Sequence, residues 1–437
     1  MAQATEAACL LHSGATYPSR VGFRLDSGDD GFVGIRAGGF SMFAGDAPIF
    51  HWDFEGRWQR AFIEGTHYLK GLDAEVHAID RVREGSSLVL RRRALGPEEG
   101  IGLDATIRNV AIDLLGTVAA DRLATLAPPP PALRIGLDEL RDLLGRVAAW
   151  DAAAWAAHRE RHAATYGPWP FLPPDCPTAL VLQATSGEGG VFGDGAAGGP
   201  LARPVAGFEH HARDVRSLMG RRLAQSRDVF LAGPGVLRRP VDDVLGLLEA
   251  TARVFPVGLA PSRARWAEVD QDAARLETIH ALLDDFGPGR PDLDGWRTLR
   301  EARLGRVTLG VESAVPSVRA RFGKSWSDDD LGATVADLKA AGIGVGLVLL
   351  VGSGGRATAP AHLEAASRLV GALPMGRGDL VTLVDDRLLG PDPLDDGEVA
   401  GQVAEFKRRW AAGRASPGAR VVAYNPDKQS TWATARP

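Results

Sequence analysis

Glu312 and Ser313 stand at the end of an apolar run, Arg306–Val311, and put a carboxylate and a hydroxyl where a strand would open onto a loop. Such a pair can bind ribose hydroxyls or an amino-acid group. Gly233 and Gly235 follow one apolar run, and Gly352 and Gly354 follow another. Glycines there let backbone amides approach a ligand closely. Asp385 and Asp386 close a further run and add carboxylates suited to acid–base work. Other spacings promise less. His158 and His162 (HRERH) have the i, i+4 spacing of a shared metal, but arginines flank them and the Glu is misplaced for a zinc protease, so a solvated helix face is expected. His210 and His211 are read as surface residues near a helix start. Gly193–Gly198 matches G-x-G-x-x-G literally, yet Pro200 and Pro204 deny it the helix a dinucleotide site needs. Cys9 and Cys176 give no metal-ligand spacing, so no metal site is assigned.

These residues need a frame of strands and loops. From Thr178 the pattern alternates strand with helix: strands at 178–183, 228–232, 253–259, 306–311, 344–351 and 379–384, helices at 208–224, 240–252, 268–286, 328–341, 361–373 and 395–412. Alternation of this kind implies right-handed βαβ units and a parallel sheet, and six repeats fit an incomplete (β/α)6 barrel of the TIM type. Ahead of it, residues 17–95 carry short alternating runs split by turns at Ser27-Gly28, Asp29–Gly31 and Gly45-Asp46, then a helix at about 103–126. The expected division is a β-rich domain at 1–126, a proline-rich linker at 127–136 (APPPP), a helical connector at 137–175 and an α/β barrel with a C-terminal helix at 176–437. On the connector, Leu140, Leu143, Leu144, Val147 and Trp150 share one helix face.

Composition narrows the classes. At 437 residues the chain is long enough for two domains. A net charge of −5 leaves no electrostatic footprint for nucleic acid. No apolar run reaches membrane-spanning length and the N-terminus makes a poor signal peptide, so a cytoplasmic protein is expected. The segment from Phe50 to Trp58 is dense in aromatics, which fits a small β core or a stacking and docking surface.

Four segments of residues 176–385, in order, resemble the radical S-adenosylmethionine superfamily, nearest its coproporphyrinogen oxidase and elongator-type branch. They are the LVLQATSGEGGVFGDG loop (Leu180–Gly195), VFLAGPGVL (Val229–Leu237), RVTLGVESAVPSVRARFGK (Arg306–Lys324) and LKAAGIGVGLVLLVGSGG (Leu338–Gly355). The resemblance implies a partial barrel, and S-adenosylmethionine held by Gly233, Gly235, Glu312, Ser313, Gly352 and Gly354. It also marks a departure. At the spacing of the family's Cys-x3-Cys-x2-Cys triplet stand Glu188, Phe192 and Gly195, which cannot replace thiolates, so no [4Fe–4S] cluster is expected. The Gly-rich turn after the second strand also lacks the family's acidic residue. The chain then reads as a cluster-free member that binds S-adenosylmethionine or a nucleoside-like ligand and serves as a partner or regulatory subunit. Two alternatives stand beside it: a cofactor-independent barrel enzyme using Glu312, Asp385 and Asp386, or a protein-binding module working through Trp52 and Trp58. The catalytic residues, the substrate and the oligomeric state stay open.

Overall fold

The strands of the first half are short and alternate on both faces, and they fold by neighbour pairing alone. They are β1 (Ser19–Arg24), β2 (Asp30–Arg36), β3 (Gly39–Ala44), β4 (Ile49–Asp53), β5 (Trp58–Ile63), β6 (Thr66–Lys70), β7 (Val76–Glu84) and β8 (Ser87–Ala94). Each pairs antiparallel with the next, an up-and-down meander that needs only turns between strands. The computed structural model describes residues 17–25, 28–36, 38–84, 87–167, 175–186, 201–233, 235–258, 276–386, 392–412 and 418–425.

One face of the meander packs on helices. Helix α1 (Pro97–Ala119) supplies Ile107, Ala111, Leu114 and Val118, and α2 (Leu137–Ala148) supplies Leu140, Leu143, Leu144 and Val147. They share a core with Phe23, Phe40, Phe50, Trp52 and Trp58. Trp52 and Trp58 are interior residues, 0% and 3% exposed, so the segment takes the β-core reading and not the alternative of a docking surface. The proline-rich stretch is tied at both ends, because β9 (Thr125–Leu126) and β10 (Leu133–Arg134) both pair with β1 and Ile135 enters the same core.

Helix α3 (Ala152–Tyr166) corrects the reading of its histidines. His158 and His162 are buried, not solvated. The His158 Nε2 bonds the Leu72 carbonyl at 2.6 Å, and burial drives both imidazoles down, to about 3 and about 4, so both are neutral. Among the described residues no group of His, Cys, Asp and Glu is placed to hold a metal.

The second half is a parallel sheet. Its strands are β11 (Leu180–Gln183), β14 (Val229–Ala232), β15 (Ile279–Leu283), β16 (Leu304–Glu312), β17 (Gly344–Val351), β18 (Leu380–Asp385) and β19 (Arg420–Ala423), side by side in chain order. A two-stranded ribbon, β12 (Thr185–Ser186) with β13 (Leu201–Ala202), follows β11. Between strands run α4 (Val205–Met219), α5 (Val241–Val254), α6 (Leu293–Glu301), α7 (Pro316–Arg319), α8 (Asp328–Ala340), α9 (Ala359–Ala372) and α10 (Asp396–Ala412). Right-handed crossovers in sequential order set the helices on one face. Val307, Leu309 and Val311 of β16 share a core with Leu331, Val335 and Leu338 of α8. Thr308, Gly310 and Glu312 alternate with them and belong to the opposite face.

The parallel sheet has seven strands where six were expected, and among the described residues no pairing joins β11 to β19 to close it. Two element assignments are also overturned. Residues 253–258 finish α5 and make one isolated bridge, Val257 with Leu276, in place of a strand. The expected helix at 268–286 contains β15, all five of whose residues are buried. A short apolar run buried on both faces shows neither the strand nor the helix period. Among the described residues no helix is long and apolar enough to cross a membrane.

Candidate functional site at the carboxyl ends of the parallel strands

The site begins with a break in β16. Gly310 pairs with Val348 and Glu312 with Leu349, so the register slips across Val311. Glu312 itself has φ 54, left-handed for a residue with a Cβ. A bulge with such a backbone re-aims a side chain at a cost on the order of 1–3 kcal/mol. Here it folds the Glu312 carboxylate over Gly310, where an added Cβ would stand 2.8 Å from Glu312 Oε1. Glycine at 310 is thus required by space.

Lys324 covers the same spot. Its Nζ donates to the Asp284 carbonyl at 2.7 Å, lies 3.5 Å from the Gly310 carbonyl, and is 3.3 Å from Glu312 Oε2. The last contact is an ion pair by distance but lacks hydrogen-bond alignment, so Oε2 is a buried carboxylate oxygen with no hydrogen bond. Asp284 Oδ2 adds a second anionic neighbour, 3.7 Å from the same Nζ. Burial raises the Glu312 carboxyl from 4.5 to about 7; Lys324 opposes this, and Asp284 and Asp386 add to it.

Asp386, just past β18, is held by its backbone to the Val351 carbonyl at 2.9 Å. Its Oδ2 is likewise buried without a hydrogen bond. Burial raises this carboxyl to about 6, opposed by the Ser353 hydroxyl and Arg321. On β18, four residues before Asp386, Thr382 Oγ1 is a third buried polar atom with no hydrogen-bond partner. All three atoms belong to β16 or to β18 and the residue just past it, two strands apart in the sheet.

The other expected residues distribute unevenly. Ser313 is fully buried and does not join Glu312: its Oγ is 2.7 Å from His362 Nδ1 and accepts the Val315 amide at 3.0 Å. His362 is in turn bonded to the Leu350 backbone and is held neutral by burial, near 4. The Gly352–Gly355 turn carries Gly352 and Gly354 to the end of β17, beside the buried Ser353. Gly233 and Gly235 lie at the end of β14, on the far side of β15 from Glu312. Asp385 is exposed. His211 is buried, not superficial, and its Nε2 accepts the Gln183 amide at 2.9 Å. Residues 187–200, with Glu188, Phe192, Gly195 and the Gly193–Gly198 run, lie outside the described residues.

Sequence reasoning missed Gly310, Lys324, Asp284 and Ser353. Gly310 and Lys324 both sit inside the Arg306–Lys324 segment, but nothing in their spacing says that the chain turns back there. Cys176 lies before β11, at the opposite end of the sheet from this site, with its Sγ 3.6 Å from Asp175 Oδ1. Burial, with Asp175 and Asp228 nearby, pushes its thiol well above its ordinary range.

Comparison with solved structures adds neighbours to this geometry. They are radical S-adenosylmethionine enzymes. One is the methyltransferase TsrM from Kitasatospora setae, solved with cobalamin and a [4Fe–4S] cluster (15% identity, 47% of this chain and 36% of that one, TM-score 0.31). Another is the cobalamin-dependent enzyme OxsB (12% identity, 55% and 31%, TM-score 0.32). A third is the FeFe-hydrogenase maturase HydG from Carboxydothermus hydrogenoformans (13% identity, 75% and 68%, TM-score 0.32). This chain spans about a third of the length of the first two. No family model and no curated protein matches it.

Proposed function

We propose that the carboxyl-end face of the parallel sheet binds S-adenosylmethionine or a similar nucleoside-bearing ligand without an iron–sulfur cluster, and that the chain acts as a non-radical partner or regulatory subunit. The observation that carries this reading is the buried Glu312 carboxylate, whose Oε1 lies over Gly310 and whose Oε2 has only the Lys324 ion pair at 3.3 Å and no aligned hydrogen bond. A ribose hydroxyl or an ammonium group would complete it. In parallel α/β folds ligands sit at this end of the strands. Asp386 and Thr382 offer further acceptors to the same donor-rich ligand.

The donor set does not fit a [4Fe–4S] cluster. The loop offers Glu188, Phe192 and Gly195 where three thiolates are needed, and the buried, poorly ionised Cys176 is at the wrong end of the sheet. No reductive cleavage of the sulfonium is therefore assigned, and binding alone remains.

The test is calorimetric titration of the full chain with S-adenosylmethionine, beside anaerobic treatment with iron and sulfide. Saturable binding that Glu312→Gln weakens, with no iron retained, is the expected result. Stoichiometric iron with a broad visible charge-transfer band would overturn it.

A second reading is favoured by one specific observation. Glu312 and Asp386, raised to about 7 and about 6, are the perturbed carboxyls that an acid–base enzyme needs near neutral pH. Solvent-proton exchange into a bound ligand, lost in Asp386→Asn, would select it.

A further inference from the structure

The opposite side of the strand-end face carries the reverse charge. Arg203 follows β13 and Arg239 follows the turn after β14, and both are half-buried. Arg239 donates through Nη2 to the Ala184 carbonyl at 2.8 Å and through Nη1 to the Arg203 carbonyl at 3.3 Å. Arg203 donates through Nε to the Thr185 carbonyl at 3.3 Å, and its own amide also bonds the Ala184 carbonyl, at 2.9 Å. The two side chains thus converge on the base of the β12–β13 ribbon.

What they touch is carbonyl oxygen only. Among the described residues neither makes an ion pair, whereas the neighbouring Arg238 pairs with Asp285. The acids that act on them, Asp214 and Asp243, do so beyond ion-pair range, and burial lowers both guanidinium pKa values. A clamp on the ribbon explains some of the donors. It does not explain why two half-buried cations are brought to one ribbon with no ion pair to either among the described residues, an arrangement that an anionic ligand would relieve. A carboxylate would leave one positive charge over, whereas a phosphoryl group neutralises both and suits the planar fork of arginine.

We propose that Arg203 and Arg239 form a phosphoryl-binding subsite at the carboxyl ends of β11 and β14. It deepens the reading above, and rests on it for the rest of the ligand: two strand spacings, about 10 Å, separate β14 from β16, a span that a phosphorylated nucleoside can bridge. The ligand class is then a nucleotide, with its sugar hydroxyls toward Glu312 and its phosphoryl group toward the arginines.

Calorimetry on the full chain tests it, with inorganic phosphate, adenosine and adenosine monophosphate as probes at constant ionic strength. Inorganic phosphate is expected to bind saturably, and the monophosphate to bind at least about tenfold tighter than adenosine. Arg203→Gln and Arg239→Gln each remove that advantage, and Arg297→Gln, on the exposed face of α6, leaves it intact. Arg203→Gln is the safer variant, because its side chain gives up one long hydrogen bond while Arg239 holds two carbonyls. Phosphate that fails to bind, or binds both variants as tightly as the parent, overturns the subsite. The failure of the nucleoside reading looks different: adenosine does not bind, or Glu312→Gln leaves it unaffected, while phosphate binding persists.

Discussion

Glu312 keeps one carboxylate oxygen out of water, ion-paired to Lys324 at 3.3 Å but without an aligned hydrogen bond, and that carboxylate sets two measurable dependences. Its folded pKa is raised, from 4.5 to about 7, so the folded state holds a proton that the unfolded state releases. Its contribution to stability is therefore fully present below about 4.5 and is lost as pH rises through about 7. Cation binding runs the other way. On the proposed function, affinity for S-adenosylmethionine is expected to rise as pH passes through 7 and level off above it, and Glu312→Gln to flatten that profile while weakening binding by about 2 kcal/mol, roughly 30-fold. A titration from pH 5.5 to 8.5 checks both. An unchanged slope in the variant would remove Glu312 from the site. The sequence made Glu312 legible because it ends an apolar run, and it pointed to Ser313 for the same reason. It could not show that a left-handed residue turns the first over Gly310 and leaves the second tied to His362. Lys324 was illegible because it enters through tertiary folding, with no period connecting it to Glu312.

At the scale of elements, β16 carries the site because one of its positions has no side chain. In Gly310→Ala the new Cβ would meet Glu312 Oε1 at 2.8 Å, the Asp284 Cβ at 3.2 Å and Lys324 Nζ at 3.5 Å. The carboxylate must swing away, so ligand binding is expected to fall below detection, with a loss of about 1–3 kcal/mol in stability from overpacking. Urea unfolding and calorimetry on the same variant separate the two effects. Normal binding would mean that the carboxylate has room elsewhere. The strands themselves were legible in proportion to their length. Gly344–Val351 was read with its observed bounds, since eight apolar and glycine residues between two turns admit little else. The five buried residues of β15 lay inside an expected helix, because a run without alternation carries no period to distinguish it. The meander was legible as β-rich from its turns. Its partners were not: α2 was read as part of a connector and instead fills the meander's core.

For the whole molecule, the question is how two cores act as one. The meander and the parallel sheet have separate apolar clusters, bridged by Leu72 of the meander, which is buried in the sheet's cluster, and by a set of polar contacts. Arg57 is the centre of these. It pairs with Asp53 at 2.7 Å and donates to the Leu218 carbonyl at 2.7 Å and to the Met219 carbonyl, the last residues of α4. Glu55 accepts the Arg221 amide at 2.7 Å, and Gln225 donates to the Gly38 carbonyl at 2.7 Å. The guanidinium therefore sits on the negative end of the α4 dipole while neutralising a buried carboxylate. Arg57→Ala strands Asp53 without its cation and frees two helix-terminal carbonyls away from water. The expected loss is about 3–5 kcal/mol in urea unfolding, the usual result of breaking one side of a buried pair. Arg57→Lys should recover little of it, since one ammonium cannot reach Asp53 and both carbonyls as a planar fork does. Because Arg203 stands two residues before α4, between it and the β12–β13 ribbon, the same substitution is expected to weaken phosphate binding while leaving Glu312 in place. A variant that unfolds like the parent would assign the docking of the two halves to the remaining contacts.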